Sequence, residues 1–286
     1  MSVKFSPNDR VVASMLGPSA VSRTLRHGLA TFVLMLSLAI WMGPRTAAAI
    51  PMLLVDETNG QVLVEQDADA LWHPASLTKL MTAYLTFKAL REGKLTFHTV
   101  VVMSENASAE PPSKLGLKQG SGITVHDALK VMLTRSMNDI ATALAETVGG
   151  DERSFVRTMN EEARRLGMLS THFINANGLH DDRQVTTARD MALLSITITR
   201  EFPNFRPYFS IPYLEHGERK LKNTNGLLAT LPGVEGMKTG YICASGFNLI
   251  NRVQMHGRRY LTVVLGAASV KEREDLTKQL LASIEN

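Results

Sequence analysis

Ser76-Leu77-Thr78-Lys79-Leu80-Met81-Thr82-Ala83-Tyr84-Leu85 places a hydroxyl and an amine three positions apart at the opening of an amphipathic run. Residues with that spacing share one face of a helix, so the pair reads as a nucleophile beside its base. A serine hydroxyl is a weak nucleophile at neutral pH. A lysine amine activates it only where burial or a neighbouring cation lowers the amine pKa. An S-x-x-K pair alone also occurs on ordinary solvated helices, so partners decide its meaning. Two follow in order, Ser136-Met137-Asn138 and Lys238-Thr239-Gly240.

Together the three motifs resemble the penicillin-recognising serine acyltransferases, where S-x-x-K, S-x-N and K-T-G line one cleft. The surroundings narrow the resemblance. Pro74-Ala75 precedes the first motif, Asn175-Ala176-Asn177-Gly178-Leu179 and Thr187-Ala188-Arg189-Asp190-Met191-Ala192 follow the second, and Gly233-Val234-Glu235-Gly236-Met237 leads into Lys238-Thr239-Gly240-Tyr241. These stretches are similar to the D-alanyl-D-alanine carboxypeptidases among the low-molecular-mass penicillin-binding proteins, from about Pro51 to the C-terminus.

The chain has 286 residues, 44% of them hydrophobic, and a formal charge of +4. Its first 49 residues read as a secretory signal peptide with a long basic leading region. Arg23 and Arg26 precede an apolar run from Leu29 to Met42, and Ala47-Ala48-Ala49 supplies small residues for cleavage. The run is shorter than the roughly 20 residues that span a bilayer, so cleavage is favoured over a retained anchor; Met15 is an alternative start. Residues 50–286 then suffice for one catalytic domain. Because the chain stops just after its last expected helix, a soluble periplasmic or wall-associated protein is expected. The one cysteine, Cys243, cannot form an internal disulfide. Part of the positive charge lies in the removable segment, which gives nucleic-acid binding little support and leaves an anionic wall polymer or plain solvation open.

Short β-rich runs, Ile50 to Val55 and Gln61 to Glu65, flank an Asn59-Gly60 turn. Helical periodicity covers Ser76 to Arg91, so the nucleophile is expected to open a helix near its positive end. Thr124 and Asp127 mark the start of a helix through Leu133, and Asp139 to Val148, Glu152 to Leu166 and Ala188 to Thr199 continue helical. Strands are expected at Tyr208 to Leu214, Gly236 to Thr239, Ser245 to Val253 and Arg259 to Leu265, then a helix from Lys271 to Ile284. Strands at both chain ends with helices between them describe an α+β fold. The resemblance implies a transpeptidase/β-lactamase-like architecture, with one antiparallel sheet built from both ends, helices packed around it, and a mainly helical lobe. K-T-G would lie on an edge strand facing Ser76.

The resemblance implies roles residue by residue. Ser76 is the nucleophile and Lys79 its base; Lys238 disfavours protonation of Lys79 and steers an anionic substrate. Ser136 passes the proton to the leaving amine, and Asn138 holds the substrate amide. Backbone amides of Ser76 and Tyr241 form the oxyanion hole, and Gly240 lets a peptide add along the strand edge. Lys238 and Thr239 receive the terminal carboxylate of a stem peptide ending in D-Ala-D-Ala. Arg273 either joins them or is a solvated surface arginine. Ile242 departs from the usual threonine after K-T-G-[HY] and removes one hydrogen bond, worth about 0.5–1.5 kcal/mol.

No cofactor and no metal is expected: His98, His126, His172, His180, His216 and His256 are scattered without ligand spacing. Asp181 and Asp182 look like turn residues, the Glu161-Glu162 pair like a solvated helix face, and Met132 to Met137 like core. A class A β-lactamase needs a water-activating glutamate between S-x-N and K-T-G; Ser170 to Gln184 contains none. A DD-endopeptidase acting on wall cross-links shares all three motifs, and a silent penicillin-binding sensor shares the fold, so both stand as alternatives to the carboxypeptidase. β-Lactams are the expected inhibitors.

Overall fold

A computed structural model describes residues 49–216 and 219–284. The rest of the expected signal segment, residues 1–48, lies outside the described residues. In chain order, β1 (Met52–Asp56) and β2 (Gln61–Gln66) form the first hairpin, and a 3-10 turn, Ala75–Thr78, runs into α1 (Lys79–Arg91). β3 (Val100–Val102), α2 (Glu105–Ala109) and β4 (Gly122–Thr124) precede three helices, α3 (Val125–Arg135), α4 (Asn138–Gly149) and α5 (Glu152–Leu166). Next come α6 (Ala188–Glu201), a 3-10 segment Pro203–Phe209, β5 (Tyr213–His216), β6 (Arg219–Lys222) and α7 (Leu227–Thr230). The chain closes with β7 (Val234–Ile242), β8 (Gly246–Met255), β9 (Arg258–Ala267) and α8 (Val270–Ala282).

The five-stranded antiparallel sheet has the order β2-β1-β9-β8-β7, so both chain ends meet where Leu53 pairs with Val263. This is the expected α+β fold. The centres of β8 and β9 are buried residue after residue, not alternately. Both faces are covered: one by the main core, the other by a smaller cluster in which Leu54, Val253 and Val264 meet Leu280 and Leu281 of α8.

The helix that carries Lys79 is buried on every side. All residues from Lys79 to Phe87 are inaccessible, as expected for a helix packed within a core instead of on a surface. Its threonines cost little there because Thr82 donates to the Ala176 carbonyl at 2.6 Å and Thr86 to the Thr82 carbonyl at 2.8 Å. Helix starts follow the sequence signals. Thr124, Asp151, Thr187 and Ser269 each accept a backbone N–H of the first turn, a cap worth roughly 1 kcal/mol.

Two expected features are corrected. Tyr208 and Phe209 do not begin a strand; they end the 3-10 segment Pro203–Phe209, and the strand starts at Tyr213. Phe202, Phe205 and Tyr208 recur every third residue, the eclipsing period of a 3-10 helix. Phe202 meets Phe205 edge to face with centroids 5.9 Å apart, Phe205 stacks on Tyr208 at 6.2 Å, and Phe205 packs against Phe87 of α1. Glu162 is buried, not solvated. It accepts from Lys88 at 3.1 Å and Tyr84 at 3.2 Å, with Arg165 alongside. These hydrogen bonds hold its carboxyl below the usual range against the opposing pull of burial, which is the largest single influence on it.

Candidate active site

Ser76 lies on the 3-10 turn before α1 instead of in the first turn of the helix itself. Ala75 enters that turn with φ at 48°, in the left-handed region. Two glycines let the backbone pack this closely. A Cβ on Gly178 would come within 2.0 Å of the Ala75 carbonyl oxygen, and one on Gly240 of β7 within 3.1 Å of the Ser76 amide nitrogen. The K-T-G strand is a sheet edge facing the Ser76 turn, as expected. Asn248 of β8 staples the approach to the turn, donating from Nδ2 to the carbonyls of His73 at 3.0 Å and Pro74 at 3.2 Å.

The amine of Lys79 is fully buried and sits 3.0 Å from Ser76 Oγ and 2.8 Å from Asn138 Oδ1, with the Asn177 carbonyl as its third partner. Burial lowers its pKa from 10.5 to about 7, against the opposing pull of Glu110 and Asp139. Of the two causes expected, burial and a neighbouring cation, desolvation of Lys79 itself is the larger. Burial also holds Lys238 well below 10.5, and the neighbouring Lys79 and Arg273 lower it further.

Ser136 is the C-cap of α3, in the left-handed conformation with φ at 64°. This non-glycine strain turns its hydroxyl toward β7, where Lys238 Nζ donates to it at 2.8 Å. Asn138 opens α4. Its amide is oriented unambiguously, since Nδ2 donates to the Pro111 carbonyl at 3.2 Å while Oδ1 receives Lys79. Asp139 is buried behind them and accepts from the backbone of Leu115 at 3.0 Å and Gly116 at 2.8 Å, which fixes the loop holding Pro112 and Ser113 at the cleft wall.

At the far end, Thr239 Oγ1 donates to Thr224 Oγ1 at 2.7 Å, and Arg273 Nη2 donates to the Thr224 carbonyl at 3.0 Å. Arg273 is 5% exposed. It is therefore a buried cation at the cleft and not a solvated surface residue, and burial pulls its guanidinium below its ordinary value. The cleft has a volume of about 440 Å³ and brings together Ser76, Ser136, Asn138, Thr239, Gly240, Tyr241 and Arg273. Ile242 lines it as an apolar wall, and Tyr241 stacks on Phe247 with centroids 4.3 Å apart.

Three residues without a role in the sequence reading belong to this site. Asn177 donates from Nδ2 to Glu110 at 2.8 Å and to Thr142 Oγ1 at 3.1 Å, while its carbonyl receives Lys79. Glu110 also accepts from Thr142 at 2.8 Å, and burial raises its carboxyl pKa. Thr224 joins Thr239 to Arg273. Only Asn177 stood in a stretch already singled out.

The sequence profile of the D-alanyl-D-alanine carboxypeptidases matches residues 41–269. The chain belongs to that family. Within it, the chain is 34% identical to the D-alanyl-D-alanine carboxypeptidase DacA of Haemophilus influenzae, over 83% of this chain and 62% of that protein. It is 30% identical to the D-alanyl-D-alanine endopeptidase of the same organism, over 83% of this chain and 82% of that one. The structure of penicillin-binding protein D2 from Listeria monocytogenes in its cefotaxime-bound form superimposes with a TM-score of 0.75 at 31% identity, covering 85% of this chain and 99% of that one. The chain spans about three-fifths of the length of the first curated carboxypeptidase relatives it matches. Among the described residues of this family member, no helix is long and apolar enough to cross a membrane.

Proposed function

We propose that this chain is a serine-type D-alanyl-D-alanine carboxypeptidase that removes the terminal D-Ala from peptidoglycan stem peptides through an acyl-enzyme on Ser76. One observation carries the reading: a fully buried amine, brought to about 7, lies 3.0 Å from the Ser76 hydroxyl. In its neutral form Lys79 has two N–H groups and one lone pair. The Asn177 carbonyl and Asn138 Oδ1 can only accept, so they take the two N–H groups and leave the lone pair facing Ser76.

Ser76 Oγ attacks the carbonyl carbon of the penultimate residue as its proton passes to Lys79 Nζ. The oxyanion is received by the backbone amides of Ser76 and Tyr241. Collapse breaks the C–N bond, and the proton that Lys79 accepted passes through Ser136, whose hydroxyl is held by Lys238, to the departing amine, leaving Lys79 neutral again. Water then hydrolyses the ester. Lys238, Thr239 and Arg273 hold the terminal carboxylate, Asn138 the substrate amide, and Gly240 admits the peptide beside β7. β-Lactams, which present a similar carbonyl and carboxylate, acylate the same serine. The first 49 residues act as a signal peptide that exports residues 50–286 to the cell wall.

A DD-endopeptidase is the second reading, favoured by the 30% identity that runs over 82% of the endopeptidase relative. Incubation with a stem pentapeptide and with cross-linked muropeptides, followed by mass analysis, separates the two. Loss of one alanine supports the carboxypeptidase; release of monomers from the dimer with the pentapeptide left intact overturns it.

A further inference from the structure

Beside the cleft, the fold assembles a histidine pair that no spacing in the sequence announces. His73 precedes the Ser76 turn, and His180 lies beyond Gly178 in the loop packed on that turn. Their rings meet edge to face with centroids 5.5 Å apart. Asp182 Oδ1 stands 3.3 Å from His180 Nε2. One ligand atom from each of the three residues lies within 4.8 Å of the other two.

We propose that His73, His180 and Asp182 form a three-ligand site for a divalent transition metal, best suited to Zn²⁺, which clamps the 177–182 loop to the segment entering the Ser76 turn. Two imidazoles and a carboxylate are a zinc donor set, with the fourth tetrahedral position left for water.

The surroundings favour metal binding over a chance meeting of surface groups. His73 Nδ1 lies 2.9 Å from the Gln184 carbonyl. That oxygen can only accept, so Nδ1 carries the proton and Nε2 keeps the lone pair that a metal needs. A second ring nitrogen tied to a backbone carbonyl is the usual support of a metal-bound histidine. Gln184 is itself buried and fixed: its Oε1 accepts from the amide of Ile174 at 2.9 Å, and its Nε2 donates to the Leu179 carbonyl at 3.0 Å. Asp181, next to Asp182, is already held by Arg183 through Nε at 2.9 Å and Nη2 at 2.7 Å. Asp182 is the carboxylate left free, with 92% of its side chain exposed. Metal bonds of about 2.0–2.2 Å require only a small contraction, available because the side chains of His180 and Asp182 are exposed and not packed in place. The clamp would act on the Asn177 carbonyl that receives Lys79, which makes the three residues positioning groups and not reacting ones.

Titration calorimetry of the chelator-treated full chain with Zn²⁺ alone tests the site without any need for catalysis. One zinc per chain is expected, with a rise in melting temperature. His180→Ala and Asp182→Ala change exposed side chains and should each weaken binding by at least about 100-fold, since loss of even an outer partner costs about 10–100-fold. His73→Ala should do the same; if it fails to fold, the exposed pair still decides. Equal zinc affinity in the wild type and His180→Ala overturns the proposal, as does absence of zinc binding to folded wild type. Binding lost only in Cys243→Ser would place the metal elsewhere and overturn it too.

Discussion

Asn138 Oδ1 lies 2.8 Å from Lys79 Nζ, and the Pro111 carbonyl fixes which way that amide points. The amide therefore presents only an acceptor to the amine. With the Asn177 carbonyl it orients the neutral amine so that its free lone pair faces Ser76. Asn138, one residue from the buried Asp139 that anchors the neighbouring loop, thus orients the Lys79 amine as well as lining the cleft.

Acylation should rise with pH through a single apparent pKa near 7. Below that value Lys79 is an ammonium without a lone pair; above it the free base accumulates. Lys79→Ala should lower the acylation rate by about a hundred- to ten-thousandfold and remove this limb. Stopped-flow acylation between pH 5 and 9 measures it; a flat profile in the wild type contradicts the assignment. The same shift makes stability rise with pH from about 7 to 10.5, because there the unfolded chain binds the proton that the folded chain has released.

Glu110→Gln should move that limb to lower pH. Its carboxylate raises the pKa of Lys79 by through-space attraction, and the amide keeps the acceptor for Thr142 and Asn177 while removing the charge. A limb that stays in place would mean that Glu110 is uncharged in the folded protein, and one that moves upward would contradict its attraction for the Lys79 amine.

Arg273→Ala should reduce kcat/KM for a carboxylate-bearing peptide by roughly 10–100-fold, the loss of a charged hydrogen bond worth about 1.5–3 kcal/mol. A peptide with its terminal carboxylate amidated should lose far less. Equal losses on both would assign Arg273 to supporting Thr224 and not to binding substrate.

Gly178→Ala should destabilise the fold by roughly 1–3 kcal/mol and slow acylation. Its φ is +87°, and the added Cβ would meet the Ala75 carbonyl beside Ser76. Urea unfolding with parallel penicillin labelling reads both effects; unchanged values would show that the turn relaxes freely.

The three motifs that meet at the cleft were legible because each is short and carries its chemistry in residue type. That one antiparallel sheet draws on both chain ends followed from the strands expected there, and the start of α3 from Thr124 and Asp127. The Ser76 turn was read as helix because its period continues that of α1, and a 3-10 turn differs from helix only in how tightly it winds. β3 and β4, three residues each, are too short to show any alternation. Glu110, Thr224 and the His73-His180 contact were invisible for another reason: topology alone unites segments far apart in the chain. Arg273 could be placed near the cleft but not buried, since the cover over it comes from Phe247 and Thr224 on other elements.

The most direct test of the central claim is peptide mapping by mass spectrometry after brief exposure of the folded protein to penicillin. The account predicts one covalent adduct, on Ser76, which is lost in Ser76→Ala and formed far more slowly in Lys79→Ala. An adduct on Ser136 or Cys243 instead, or none on protein shown to be folded, would contradict it.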